Sequence, residues 1–246
     1  MMRRNLFGLE VDDLTRQETV SVVDEYIQNG KPAHLLGVNS DKVNAIQDDL
    51  RLLEICKKAA IVNPDGISMV LASRMLKQAL PERVAGIDLM DDLLNLAAQK
   101  GYSVYFIGAK EAVIRQAVTN IEAKYPTLRV LGYENGYFGS DVWSQKAAKL
   151  KDIRADMVFI GITSPQKEYF IQSLMDADVS AIFMGVGGSF DVISGKLSRA
   201  PRWMQMAGLE WFYRFLQEPR RMWRRYFFGN LKFINLTIKE ARSIKQ

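Results

Sequence analysis

Polar and glycine residues recur where apolar runs of this chain end, and their types suit the handling of an anionic ligand. They are Asn39; Asp65 and Gly66; Gly108; Gly136 and Tyr137; Thr163 through Glu168; and Gly187, Gly188 and Asp191. Asp65 stands in Asn63-Pro64-Asp65-Gly66, which reads as a rigid turn. A carboxylate held by backbone rather than by a flexible arm suits a general base. The competing reading is an ordinary turn aspartate that caps the following helix. Gly108 before a helix near Glu111, and Ser164 at another helix start, could each present backbone N–H groups to an anion. Arg83 and Lys167 could add full charges. Taken singly, each of these is as readily a turn residue or a solvated surface group.

Several kinds of chemistry are excluded. There is no Walker A sequence and no GxGxxG after the first apolar run. Asp176-Ala177-Asp178 matches a metal-binding DxD literally, yet it precedes the apolar run at Ala181 and so belongs at the amino end of a strand. The pairs Asp12-Asp13, Asp48-Asp49 and Asp91-Asp92 have no special spacing. One histidine, His34, and one cysteine, Cys56, exclude a zinc site built from those residues and any intrachain disulfide. No metal and no other cofactor is expected. Arg, Lys and helix N-termini would stabilise a departing diphosphate.

The elements that must position these residues alternate. Strand-like runs lie at 6–11, 34–38, 60–62, 103–107, 128–132, 157–162 and 181–186. Helical spacing covers 15–28, with Thr15 as N-cap and Gly30 as stop, then 41–59 in two pieces, 67–76, 89–99, 111–124, 142–150 and 164–175, the last with Pro165 in its first turn. Strands without polar alternation, separated by helices, predict an α/β fold: a Rossmann-like, mostly parallel sheet with helices on both faces. Ligands then bind beyond the carboxyl ends of the strands. The composition changes near 195–201, so residues 1–195 are expected to form the α/β catalytic domain and 196–246 a helical appendage.

That appendage holds 12 Lys and Arg against three Glu and no Asp, whereas the rest of the chain is slightly acidic. Helices are expected at 210–217 and 222–239 with Pro219 at the joint. Trp211, Phe212, Phe215 and Leu216 share helical spacing in the first, and Trp223, Tyr226, Phe227 and Phe233 in the second, near Arg220, Arg221, Arg224 and Arg225. Such faces suit an anionic membrane surface. Plain core packing is the alternative. Nucleic acid is not an expected partner, because no nucleic-acid fold motif accompanies the basic block. No apolar run reaches the roughly 18–20 residues that span a bilayer, and Glu10, Asp12 and Asp13 interrupt any signal-peptide core after Arg3 and Arg4. A cytoplasmic protein with peripheral membrane contact is expected.

Eight blocks together resemble the WecG/TagA/CpsF family of bacterial glycosyltransferases. They are VNSDK at 38–42, NPDG at 63–66, ERVAGIDL at 82–89, YFIGA at 105–109, GYFG at 136–139, SPQKE at 164–168, GVGGSFD at 185–191 and RAPRWMQMAGLEWFYRFLQEPRR at 199–221. The resemblance implies transfer of a sugar, often N-acetylmannosamine, from a UDP donor to a polyprenyl-diphosphate-linked sugar, with inversion and without metal, in cell-surface polysaccharide synthesis. It implies Asp65 as the base. Asn39, Arg83, Lys167 and Asp191 would line the donor pocket, with Gly108, Tyr137 and Gly187 as further binding positions. Arg214, Arg221 and Arg224 of the membrane-facing appendage would complete it. A small homo-oligomer is compatible with the family. Lys167 stands where most members carry Gln, Thr163 replaces a common Gly, and Gly37 stands where many have Thr. Two other readings fit the pattern without the resemblance: a nucleotide-binding oxidoreductase, and a non-catalytic, membrane-associated nucleotide-binding adaptor.

Overall fold

The computed structural model describes residues 2–243, apart from the side chains of Arg221, Met222, Arg224, Arg225 and Tyr226. The chain opens with an antiparallel hairpin, β1 (Arg3–Leu6) and β2 (Leu9–Asp12), where the apolar run at 6–11 had predicted one strand. Phe7 and Gly8 both have positive φ, 56° and 76°, and such a two-residue turn reverses the chain. The hairpin is tied down by Asp12, whose buried carboxylate accepts from the Val62 N–H at 2.7 Å and from Arg3 at 2.8 Å.

Six parallel strands then form the central sheet. They are β3 (Ala33–Val38), β4 (Ile61–Pro64), β5 (Ser103–Gly108), β6 (Arg129–Glu134), β7 (Met157–Gly161) and β8 (Ile182–Gly185). Their spatial order is β4-β3-β8-β7-β5-β6. Asn63 and Pro64 thus end a strand rather than belonging to the turn, which begins at Asp65. Proline is tolerated there because β4 lies at the sheet edge.

Side chains alternate between two cores. Leu35, Val104, Phe106, Met157 and Phe159 face one side, packed with α1 (Arg16–Gln28), α5 (Gly86–Lys100), α6 (Glu111–Lys124) and Phe190 of the short α9 (Ser189–Ile193). Tyr105, Ile107, Val158, Ile160 and Phe183 face the other, against α7 (Trp143–Ile153) and α8 (Gln166–Asp176). Leu36, Val38 and Val62 continue that second face under α2 (Ser40–Ile46), α3 (Leu50–Lys58), α4 (Ile67–Met75) and the hairpin. Burial on both faces is why these strands read as unbroken apolar runs. Helix α1 starts with a capping box, Thr15 and Glu18 bonding each other's backbone N–H. Pro165 is the N-cap of α8 and not a residue of its first turn, and the Ser164–Pro165 peptide is cis.

The chain finishes with α10 (Arg202–Met206), α11 (Glu210–Gln217) and α12 (Pro219–Ser243). Proline at the first position of α12 matches its missing N–H. This last helix packs against the start of the chain. Phe233 is buried with Leu6, Phe7 and Val43, its ring 5.2 Å from that of Phe7. Glu240 accepts from the Phe7 N–H at 2.8 Å. The aromatic residues of α12 therefore divide, with Phe233 in the core and Trp223, Phe227 and Phe228 exposed. Phe233→Ala should cost about 3–5 kcal/mol in urea unfolding, the range for truncating a core Phe. Phe227→Ala should stay within about 0.5 kcal/mol of the parent.

Candidate active site

Asp65 follows β4 directly. Its N–H donates to the Val38 carbonyl at 2.8 Å, which ties the turn to the end of β3. Its carboxylate does not cap α4, whose N-cap is Gly66 with no side-chain hydrogen bond. Instead Oδ1 accepts from the Gly86 N–H at 2.8 Å, at the first residue of the 15-residue helix α5. The capping alternative for Asp65 is thus met by a different helix. Gly37 lies alongside, and a Cβ there would stand 3.1 Å from the Asp65 Cβ. Burial raises the Asp65 carboxyl above the usual aspartate range. The Gly86 N–H, Arg83 and Lys167 oppose that rise, and Glu210 adds to it.

Those influences outline the site. Arg83 is ion-paired with Glu210 of α11, and Arg199 joins Glu210 at 3.5 Å and Asp88 at 2.7 Å. Glu210 and Arg214 are four residues apart, so they share a face of α11 about 6 Å apart along its axis. At its second position that face reaches the turn after β8, where a Cβ on Gly188 would collide with the Arg214 guanidinium. Helix α11 therefore bridges the Asp65 corner and the Gly187–Gly188 turn. Gly187 has φ +51°, a left-handed conformation that suits glycine. Asp191, in α9, pairs with Lys196 at 2.7 Å.

On the other side of Asp65 lies a buried charged cluster that reading the strand ends one by one did not reveal. Lys42 of α2 pairs with Glu168 of α8, both almost without solvent exposure. Ser164 donates to Glu168 Oε2 at 2.7 Å, and Lys42 reaches Ser164 Oγ at 3.2 Å. Lys167 Nζ stands 3.3 Å from Glu168 Oε1, its stem lying over Gly185, where a Cβ would collide with it. Burial pushes the Glu168 carboxyl up, but Lys167 and Lys42 outweigh it and hold the group at about 2. Lys42 is drawn down by burial first and by Lys167 second. Asn39 supports this corner as the N-cap of α2, accepting from the Lys42 N–H at 3.1 Å, and it touches the Gly66 position. Lys42 falls inside the sequence block VNSDK, and Glu168 inside SPQKE and at the end of the polar stretch 163–168.

The remaining expected residues stand further off. Gly108 packs against backbone, since a Cβ on it would lie 2.7 Å from Gly161 Cα, and one on Gly136 would lie 2.8 Å from Gly108 Cα. Tyr137 is exposed and lines a hollow of about 460 Å³ with Glu111, Glu134 and Lys146. It follows β6, at the opposite sheet edge from β4, five strand spacings or roughly 24 Å away. Its loop nonetheless curls back over the end of β5, where the Gly136 N–H donates to the Ala109 carbonyl at 2.8 Å. The side chains of Arg221 and Arg224 lie outside the described residues. Asp176 and Asp178 do lie at the amino end of β8, away from the site. Among the described residues no three or more His, Cys, Asp or Glu gather as metal ligands, and no helix is long and apolar enough to cross a membrane.

A carboxylate among cations lies past the carboxyl ends of a parallel sheet, the place where α/β enzymes bind their ligands. The chain belongs to the glycosyl transferase WecG/TagA/CpsF family, whose model matches residues 4–246, and it is a glycosyltransferase. It is 34% identical over 220 residues to the N-acetylglucosaminyldiphosphoundecaprenol N-acetyl-beta-D-mannosaminyltransferase of Bacillus subtilis (strain 168), covering 89% of this chain and 84% of that protein. A protein of the same description from Bacillus spizizenii is 33% identical over 218 residues, covering 89% and 83%.

The buried cluster has a consequence for stability. Glu168 is depressed from 4.5 to about 2 in the folded protein. Its contribution is therefore present above pH ~4.5 and is lost as pH falls toward ~2. Glu168→Gln should remove that part of the acid dependence. At neutral pH it should cost about 3–5 kcal/mol, because it leaves a buried lysine without its partner. Urea unfolding of both proteins between pH 7 and pH 3 reads both effects.

Proposed function

We propose that this glycosyltransferase moves a hexose or N-acetylmannosamine-type sugar from a UDP donor to a polyprenyl-diphosphate-linked sugar, with inversion and without a metal ion. The relatives' printed activity supports the lipid-linked acceptor and the N-acetylmannosamine type. The observation that carries the reading is the setting of Asp65: a carboxylate of raised basicity, fixed by the Gly86 N–H, with Arg83 and Lys167 close enough to act on it.

In this reading Asp65 accepts the proton of the acceptor hydroxyl. The hydroxyl oxygen attacks the anomeric carbon from the face opposite UDP, and the bond from that carbon to the diphosphate oxygen breaks, its electron pair leaving with UDP. Arg83, Lys167 and Arg214 meet the charge that grows on the diphosphate. Asn39, Gly108, Tyr137, Gly187 and Asp191 complete the donor groove, and Arg221 and Arg224 join it from α12. A raised carboxyl is a better proton acceptor than an ordinary aspartate. Asp65→Asn should keep UDP binding and lose ~10²–10⁴-fold in kcat. The base must be ionised, so activity should fall as pH drops through the raised Asp65 value. Glu210→Gln removes a negative neighbour and frees Arg83, and both effects favour the ionised form. The acid limb of kcat/KM should therefore move to lower pH in that variant. An unmoved limb would separate Glu210 from the base.

The enzyme works, in this proposal, as a peripheral protein on the cytoplasmic face of an anionic membrane, where its acceptor is anchored. Exposed Trp203, Trp211, Phe212, Trp223 and Phe227 on α10 to α12, with Arg220 on the same helix as the last two, support that reading. The double variant Trp223→Ser/Phe227→Ser should sediment poorly with phosphatidylglycerol-rich vesicles while its melting temperature stays near that of the parent. Undiminished sedimentation would remove these aromatics from the contact.

A further inference from the structure

Three charged groups lie together behind Asp65, and they do not balance. Glu168 supplies one negative charge, and Lys42 and Lys167 supply two positive ones. Asp65 feels Lys167 too, but it is the proton acceptor of the proposed transfer and stands outside this sum. His34 is neutral, driven to about 3 by burial above all, and the Cys56 thiol stays protonated because burial pushes it to about 11. Among the described residues, and with Asp65 set apart, this corner beneath the ends of β3 and β8 therefore holds one excess positive charge.

The geometry also says which lysine is committed. Lys42 is tied to Glu168 Oε1 and to Ser164 Oγ, and Ser164 itself donates to Glu168 Oε2. Lys42 is further fixed through its own backbone, since its N–H is held by Asn39. Lys167 makes only the longer contact with Glu168, 3.3 Å, and it is the more exposed of the two, at 13% against 5%. Its stem crosses Gly185 at the strand end, and its charge is felt by Asp65.

We propose that Lys42 is a positioning residue of the transfer reaction: by taking up the charge of Glu168 it leaves the charge of Lys167 for the donor diphosphate. The inference rests on the reading of Lys167 as a diphosphate contact, and it adds a group that never touches the donor. Without Lys42, Glu168 and Lys167 form a closed neutral pair, and the site loses its excess charge although Lys167 is still present. Neutralising Glu168 as well should release Lys167 again.

UDP binding to the purified full-length protein, measured by calorimetry, tests this. Lys167→Met should weaken UDP about tenfold, an ordinary size for a coupled charged contact. Lys42→Met should weaken it by a similar factor. Lys42→Met/Glu168→Gln should recover an affinity within about threefold of the parent, and adding Lys167→Met to that pair should return it to the level of Lys167→Met alone. A merely structural role for Lys42 would not produce that recovery or that dependence on Lys167. Parent-like affinity in Lys42→Met, or no recovery in the double variant, overturns the inference and leaves the Lys167 contact standing. Parent-like affinity in Lys167→Met overturns both. Should Lys42→Met alone fail to fold, the comparison moves to Lys42→Met/Glu168→Gln with and without Lys167→Met. Affinity should then be kept in the first and lost about tenfold in the second, and a weak first member overturns the inference.

Discussion

The hydrogen bond from the Gly86 N–H to Asp65 Oδ1 joins a strand end to the start of a helix 21 residues later. It uses an N–H that the first turn of α5 leaves without an intrahelical partner. It holds the carboxylate in one orientation, so the second oxygen is directed by backbone rather than by a rotamer. The favourable field at a helix N-terminus stabilises the ionised form, yet burial wins and the carboxyl stays above its usual range. Arg83, three residues before Gly86, is brought to the same corner by the same connection.

Charge around that carboxylate is shared unequally. Arg83 is engaged by Glu210, and Arg199 extends the contact to Asp88, so an arginine of the α/β layer is linked to the terminal helices. Lys167 is held by a longer contact, 3.3 Å to Glu168. A cation already paired must give up its partner before it meets a new anion, whereas a charge left over after its neighbours are neutralised does not. The two sides of Asp65 therefore differ in readiness.

The terminal helices serve two purposes with one amphipathic stretch. Phe233 enters the core beside Phe7, and Glu240 holds the backbone of the N-terminal hairpin, so the two ends of the described chain stabilise each other. About a quarter to a third of a turn round the same helix, Trp223 and Phe227 are exposed. Membrane reading and core packing had stood as alternatives for this segment. The structure assigns core packing to Phe233 and leaves Trp211, Phe212, Leu216, Trp223 and Phe227 exposed.

Much of the fold was legible in the residues themselves. Unbroken apolar runs between helical repeats identify strands buried on both faces, and Thr15 with Glu18 marks a helix start, because periodicity and capping are local properties. The eight sequence blocks likewise identified the family and most residues at the strand ends. Locality also set the errors: an apolar run across Phe7-Gly8 looks like one strand until the positive φ values turn it, and Asn63-Pro64 looks like a turn until strand pairing claims it. What only the tertiary structure decided is which charges meet. Lys42 and Glu168 are 126 residues apart, and Arg83 and Glu210 are 127 apart. Their pairing follows from strand order, which sets β3 beside β8 and β8 beside β7, and from the packing of α11 over the strand ends. A charge in the sequence has a sign but no neighbours across the sheet, and its neighbours decide whether it is spent on the fold or left for a ligand.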